Sequence, residues 1–243
     1  CKENSYDLMS DLEFAYRLFS NRTIIAITGT NGKTTTTSLV GEIIKNAGKT
    51  VHVIGNIGSG ILEAFAKGSE EDVYLIEVSS FQLEDTSTFR PNIGAFLNFS
   101  PDHLDWHGSI ENYFAAKCKI FGNMIDSDIF IVNKDTNLPE KINSKEYVLF
   151  SKSNSADYYI KNDEICGPNG KILSKESIKL PGAHNLENIL AAVSITSEFG
   201  IDKDIIENTI KNFLGVEHRI EFVRELNKVK YYNDSKGTNV DST

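Results

Sequence analysis

Residues 23 to 38 read TIIAITGTNGKTTTTS, and no other stretch constrains the fold as much. β-branched and apolar residues come first, then glycines, then Lys33 and a row of threonines, an order that prescribes strand, loop and helix. Glycines at such a junction let backbone N–H groups face a phosphate at the helix N-terminus. Lys33 is placed to reach the β- and γ-phosphates, and the Thr34 hydroxyl to sit on Mg²⁺. The pattern G-x-x-x-x-G-K-[ST] nevertheless fails at its first position, where Ile27 stands. Either the match is accidental and the segment is a turn with an ordinary N-cap, or Gly29 and Gly32 shape a loop of different outline. The strand-loop-helix context favours the second, although the motif alone says only that a nucleotide binds.

The alternation continues down the chain. TVHVIG, DVYLIEVSS, NIGAFLNFS and DIFIVN read as strands, SGILEAFAKG and SIENYFAAKCKIFGNM as helices. Continuous apolar strands between helices predict an α/β fold of P-loop type, a mostly parallel sheet with helices on both faces. From Tyr147 to Lys179 short segments (YVLFS, DYYIKN, GKILS) around GPNG predict a small antiparallel β excursion. Helices return with HNLENILAAVSITSEFG and DKDIIENTIKNFLG, ended by Gly200 and Gly215. KVKYYNDSKGTN reads as the first strand and loop of a further unit.

The whole 243-residue chain, 40% hydrophobic, is long enough for one large domain or two unequal ones. A formal net charge of −9 disfavours nucleic acid and anionic lipid as partners, and no apolar run reaches the roughly 18 residues of a membrane span. Three scattered cysteines (Cys1, Cys118, Cys166) give neither a disulfide framework nor a zinc pattern, so reduced thiols and a cytoplasmic location are expected. A start at cysteine and a stop in NDSKGTNVDST lead to the expectation of a fragment.

Three further places carry chemistry. Glu77 ends a wholly apolar strand, where an ionised carboxylate is costly unless a cation or a salt bridge pairs with it. The loop LNFSPDHLDWHG gathers Asp102, His103, Asp105 and His107 at the same sheet edge, as a solvated loop, a ligand site or, by its D-H-x-D-x-H spacing, a transition-metal site. On a helix at about 100° per residue, Lys117 falls within the stripe Ile110, Tyr113, Phe114, Cys118, Ile120 and Phe121. Such a lysine either snorkels or is held as a neutral amine, which can take up CO₂ as a carbamate and so become a carboxylate equivalent for a metal. His184 and Asn185 can serve as helix caps, and Arg219 as a surface cation.

In GTNGKT, EVSSFQLE, NFSPDHLDWHG and NDSKGTN the chain resembles the Mur ligases, ATP-dependent amide-bond-forming enzymes of peptidoglycan precursor synthesis. It looks most like the D-glutamate-adding members; other branches are expected to carry a D-Y-A-H type sequence where Asn233 to Lys236 stand here, and Gly237 departs from the family's frequent alanine. The resemblance implies a remnant of the UDP-binding N-terminal domain or linker at 1–20, the central ATP-binding domain at 21–214, and the beginning of a Rossmann-like C-terminal ligase domain at 215–243. It assigns Gly29, Thr30, Asn31, Gly32, Lys33, Thr34 and Thr35 to ATP, with Asn188, Arg219 and Asp234 around adenine and ribose. Thr34 and Glu77 would hold one Mg²⁺, and His103 with a carbamylated Lys117 a second. Asn56, Ser79, Ser80 and His103 would meet UDP-MurNAc-L-Ala, and Lys236 and Thr238 the acyl phosphate and D-glutamate; Lys33, Glu77, His103, Lys117 and Lys236 form the implied catalytic set. A monomer is expected. The rivals are another Mur-type ligase, a non-catalytic nucleotide-binding module, and a P-loop kinase or GTPase, for which NKD at 133–135, followed by Thr136, is a weak base-recognition motif.

Overall fold

The computed structural model describes residues 8–136, 147–153, 155–180, 182–217 and 221–235. In chain order its elements are α1 (Asp11–Leu18), β1 (Thr23–Thr28), α2 (Lys33–Asn46), β2 (Val51–Gly55), α3 (Ile61–Lys67), β3 (Val73–Glu77), α4 (Ser80–Glu84), β4 (Ile93–Phe96), α5 (Leu104–His107) and α6 (Ile110–Cys118). There follow β5 (Ile129–Asn133), β6 (Val148–Ser151), β7 (Tyr158–Lys161), β8 (Glu164–Gly167), β9 (Gly170–Ser174), α7 (Ala183–Glu198), α8 (Lys203–Asn212), β10 (Glu221–Leu226) and β11 (Val229–Asn233).

Strands β1 to β9 form one nine-stranded sheet in the order β2-β3-β1-β4-β5-β6-β7-β8-β9. The apolar run TIIAIT forms β1 in its centre, between β3 and β4, with all three parallel. Successive side chains of a strand point to opposite faces, and here both faces are covered. Ile25 and Ile27 pack with α2, α7 and α8 through Leu39, Val40, Ile43, Leu190 and Ile206. Ile24 and Ala26 join Leu12, Phe65, Tyr74, Phe96 and Phe121 on the other face. The chain steps from β3 across β1 to β4, so strand order reverses around β1, the place where open α/β sheets leave a crevice at their carboxyl edge.

Helix α1 is fastened by a buried carboxylate. Glu13 accepts N–H groups of Ser87, Thr88 and Phe89, the hydroxyls of Ser87 and Thr88, and the Arg17 guanidinium. Burial by itself raises its pKa, but the bonds from Thr88, Arg17 and Ser87 outweigh it and hold the carboxyl at about 2.

The predicted α/β class is found, with three corrections of detail. YVLFS does not belong to an antiparallel excursion: β6 pairs in parallel with β5 and β7, and the sheet turns antiparallel only at β7-β8-β9, with β8 an additional strand. The helix expected through Met124 stops at Cys118 in a 3-10 turn, Lys119–Phe121, leaving Ile110 exposed on the first turn while Ile120 and Phe121 are buried. KVKYYN is the return strand of a hairpin with β10, a two-stranded sheet of its own. Among the described residues no helix is long and apolar enough to cross a membrane.

Candidate functional site

The loop after β1 answers the question posed by Ile27, which is buried inside the strand. Gly32 is the N-cap of α2 at φ 81, and a Cβ there would lie 2.0 Å from Asn188 Oδ1, so both backbone and space demand glycine. Lys33 Nζ curls back to donate to the carbonyls of Gly29 and Thr30, each at 2.9 Å. Thr34 and Thr35, both buried, follow on the first turn of α2. The crest is stitched to the residue that follows β4 and Leu97. Asn31 N–H donates to Asn98 Oδ1 at 2.8 Å, and Asn98 Nδ2 returns a bond to Asn31 O at 2.9 Å. Thr30 N–H donates to Asn98 O, and Thr30 Oγ1 exchanges bonds with the backbone of Ser100 and lies 3.2 Å from the Tyr113 hydroxyl.

This loop forms one wall of a cavity of about 350 Å³ at the carboxyl edge of the sheet, whose lining also includes Asn56, Glu77, Ser79, Ser80, Asp102, His103 and Lys117. Glu77 is the last residue of β3 and 1% exposed. Its Oε1 accepts from Asn56 Nδ2 at 3.0 Å, while the buried Oε2 has no hydrogen-bond partner. An orphaned carboxylate oxygen in a polar cavity is costly unless a cation meets it, so the donor chemistry fits Mg²⁺, a hard ion that takes one or two carboxylates and fills its shell with water and phosphate oxygens. Ser79 caps α4 in a reciprocal pair with Gln82, which uses its hydroxyl locally.

Lys117 does not snorkel. It is 2% exposed, donates to Gly29 O at 2.8 Å and lies 4.7 Å from the centre of the Tyr113 ring. Burial first, and then the nearby Lys33 charge, push its pKa well below the ordinary lysine value. His103 sits in the left-handed region at φ 50, beside Phe81, with Nδ1 3.7 Å from Asp102 Oδ1 and the ring half exposed to the cavity mouth. His107, by contrast, turns inward to Ser80, so D-H-x-D-x-H does not converge. Among the described residues no three His, Cys, Asp or Glu side chains group as a metal site, which leaves the transition-metal reading without support.

Of the remaining expected residues, Asn188 lies behind the loop, buried against Gly32 and bonded to Asn185 Oδ1. His184 and Asn185 do not cap α7, whose N-cap is Gly182 without a side-chain bond. Asp234 follows β11, and Arg219, Lys236 and Thr238 lie outside the described residues. In NKD, Asn133 Oδ1 accepts from Asp135 N–H and Asp135 accepts from Ser151 Oγ, local bonds that leave the weak base-recognition reading without support. Sequence reasoning missed Asn98 and Tyr113; the run LNFSPDHLD that holds Asn98 was the available signal.

The Mur ligase middle domain matches residues 27–196. The UDP-N-acetylmuramoylalanine--D-glutamate ligase of Thermoanaerobacter sp. (strain X514) is 48% identical over 253 residues, covering 100% of this chain and 55% of that protein. The protein of the same name from Caldicellulosiruptor bescii is 45% identical, covering 97% of this chain and 54% of its own length. The chain thus spans about half the length of the curated relatives it matches. Crystal structure I of MurF from Acinetobacter baumannii superposes with a TM-score of 0.77 over 95% of this chain and 54% of that one; at 19% identity it shows the shared fold. A domain model reaching from β1 into α7, and relatives this similar along the whole chain, agree on one conclusion: the chain belongs to the Mur ligase family.

Proposed function

We propose that the chain is the ATP-binding core of a ligase that joins D-glutamate to UDP-N-acetylmuramoyl-L-alanine through an acyl phosphate. The observation that carries the reading is the meeting of the phosphate loop, Glu77 and the buried Lys117 on one cavity. The choice of amino acid rests on the relatives at 45% and 48% identity, both named as D-glutamate ligases.

The loop N–H groups and Lys33 would cradle the triphosphate, with Lys33 leaving the Gly29 and Thr30 carbonyls for the β- and γ-phosphates. Thr34 and Glu77 would hold one magnesium ion, and His103 with a carbamylated Lys117 a second. Bound magnesium supplies neutralisation of the triphosphate charge. The L-alanyl carboxylate attacks the γ-phosphorus in line, ADP leaves, and the D-glutamate amine then displaces phosphate from the acyl carbon. Activation is required because a carboxylate lacks a viable leaving group. Asn56, Ser79, Ser80 and His103 would face the UDP-MurNAc-L-Ala moiety. Asn188, Arg219 and Asp234 would surround the nucleoside, and Lys236 and Thr238 would meet D-glutamate. In this reading residues 1–20, 21–214 and 215–243 divide as linker to a UDP-binding domain, ATPase core and start of a C-terminal ligase domain, in a cytoplasmic monomer.

The test is amino-acid-dependent phosphate release by the full-length protein with ATP, Mg²⁺ and UDP-MurNAc-L-Ala. Release with D-glutamate, and none with L-glutamate, L-lysine or meso-diaminopimelate, is the expected result. Release with a different amino acid alone would move the chain to another branch of the family.

A further inference from the structure

Behind the cavity lies a chain of three side chains, of which the proposed reaction uses only the first, Ser80, as a substrate contact. Ser80, the first residue of α4, lines the cavity and is almost fully buried. Its Oγ is 3.0 Å from His107 Nε2. On the other side of the ring, His107 Nδ1 is 3.5 Å from Glu84 Oε2, which also accepts from Trp106 Nε1 at 2.9 Å. The imidazole has no freedom to turn away. Phe81 stacks on it at 5.5 Å and 16°, Tyr113 leans against it at 5.2 Å, and the side chain is 1% exposed. Asn112 Nδ2 fixes the backbone carbonyl of the same residue at 2.9 Å.

A neutral imidazole carries its proton on one nitrogen, and the neighbour of the other decides which. A carboxylate only accepts, so Glu84 beside Nδ1 favours the proton there. Nε2 is then an acceptor, and the Ser80 hydroxyl must donate to it. What Ser80 has left for the cavity is its lone pairs. We propose that His107 is a positioning residue that, backed by Glu84, fixes Ser80 as a hydrogen-bond acceptor toward the cavity, so that the group Ser80 engages is a hydrogen-bond donor and never an anionic oxygen. The specificity this confers is orientational: a carboxylate or phosphoryl oxygen brought to Ser80 would face lone pairs, and only the other polar groups of the cavity, Lys33 and Lys117 among them, are left to receive it. The inference rests on the proposed ligase reading for the nature of the ligand, but not for the polarity of the hydroxyl.

The closing experiment therefore has a part that needs no turnover. In the full-length protein labelled with ¹⁵N-histidine, at pH 8, the His107 ring, identified by loss of its signals in H107Q, is expected to show a protonated Nδ1 and an unprotonated Nε2. E84Q, whose amide can donate to Nδ1, is expected to move the proton to Nε2. A wild-type ring protonated at Nε2, or at both nitrogens, would overturn the assignment. In steady-state kinetics, E84Q and S80A are expected to raise KM for the carboxylate substrate about tenfold, the effect of one hydrogen bond, with the KM for ATP moved less than about twofold. H107Q, which keeps an acceptor toward Ser80, is expected to lie closer to wild type than H107F. A loss in kcat with neither KM moved would mark His107 as packing alone. Absence of any D-glutamate-dependent turnover would sink the ligase reading while leaving the tautomer result standing.

Discussion

Asn98 bonds both backbone groups of Asn31, its Oδ1 accepting from the N–H and its Nδ2 donating to the carbonyl. Asn98→Ala should therefore loosen the phosphate loop without touching a ligand. Two lost bonds, each worth about 1 kcal/mol, predict nucleotide binding weakened roughly tenfold or more by calorimetry, with the melting temperature much less affected. Lys117 predicts something different. If its neutral amine serves as a carbamate, Lys117→Ala should abolish phosphate release, and bicarbonate or a short carboxylate should restore part of it; full activity without either would refute the role. Lys117 was legible in the sequence because a lysine inside an apolar stripe at helical spacing is visible by counting. Glu77 was legible for the same kind of reason, a charge inside an apolar strand. Asn98 was not. A single asparagine at a strand end has no pattern, and its role exists only where two backbone segments 67 residues apart come together.

At the scale of elements, the Glu13 carboxylate joins α1 to residues 87–89, and its low pKa turns that joint into a pH dependence. The folded carboxyl gives up its proton near 2 where an unperturbed one does so near 4.5. The stabilisation is thus complete above about pH 4.5 and lost as the pH falls toward about 2, amounting to about 3 kcal/mol at neutral pH. Glu13→Gln should lower stability by a similar amount in urea at pH 7 and flatten the acid limb of the stability curve; an unchanged acid limb would show that other carboxylates govern it. Element types were well marked by apolar runs and by Gly48, Gly200 and Gly215. Directions were less so: YVLFS looks alike whether it runs parallel or antiparallel, because the hydrogen-bond ladder leaves no trace in residue type. The end of α6 was also hidden, since the apolar periodicity continues through Ile120 and Phe121 while the backbone tightens into a 3-10 turn.

For the molecule as a whole, the sheet brings the loops after β1, β2, β3 and β4 to one edge. The strand order that achieves this was beyond sequence reading, because nothing local says that β1 separates β3 from β4. The β10-β11 hairpin stands outside the sheet with most of its side chains exposed. A chain ending at Val216 should therefore melt cooperatively within about 3 °C of the present one, no more than the shift that about 1 kcal/mol produces in a domain of this size. A larger drop in calorimetry would show that the hairpin contributes to the core's stability. The stitching of Thr30 and Asn31 to Asn98 and Ser100 has its own consequence. The loop that carries Lys33 and the loop that leads to His103 are one mechanical body, so ordering either one orders both. Linkage then makes the gain reciprocal: whichever of two ligands arrives first, the second meets a surface already set, and the order of arrival leaves the total affinity unchanged.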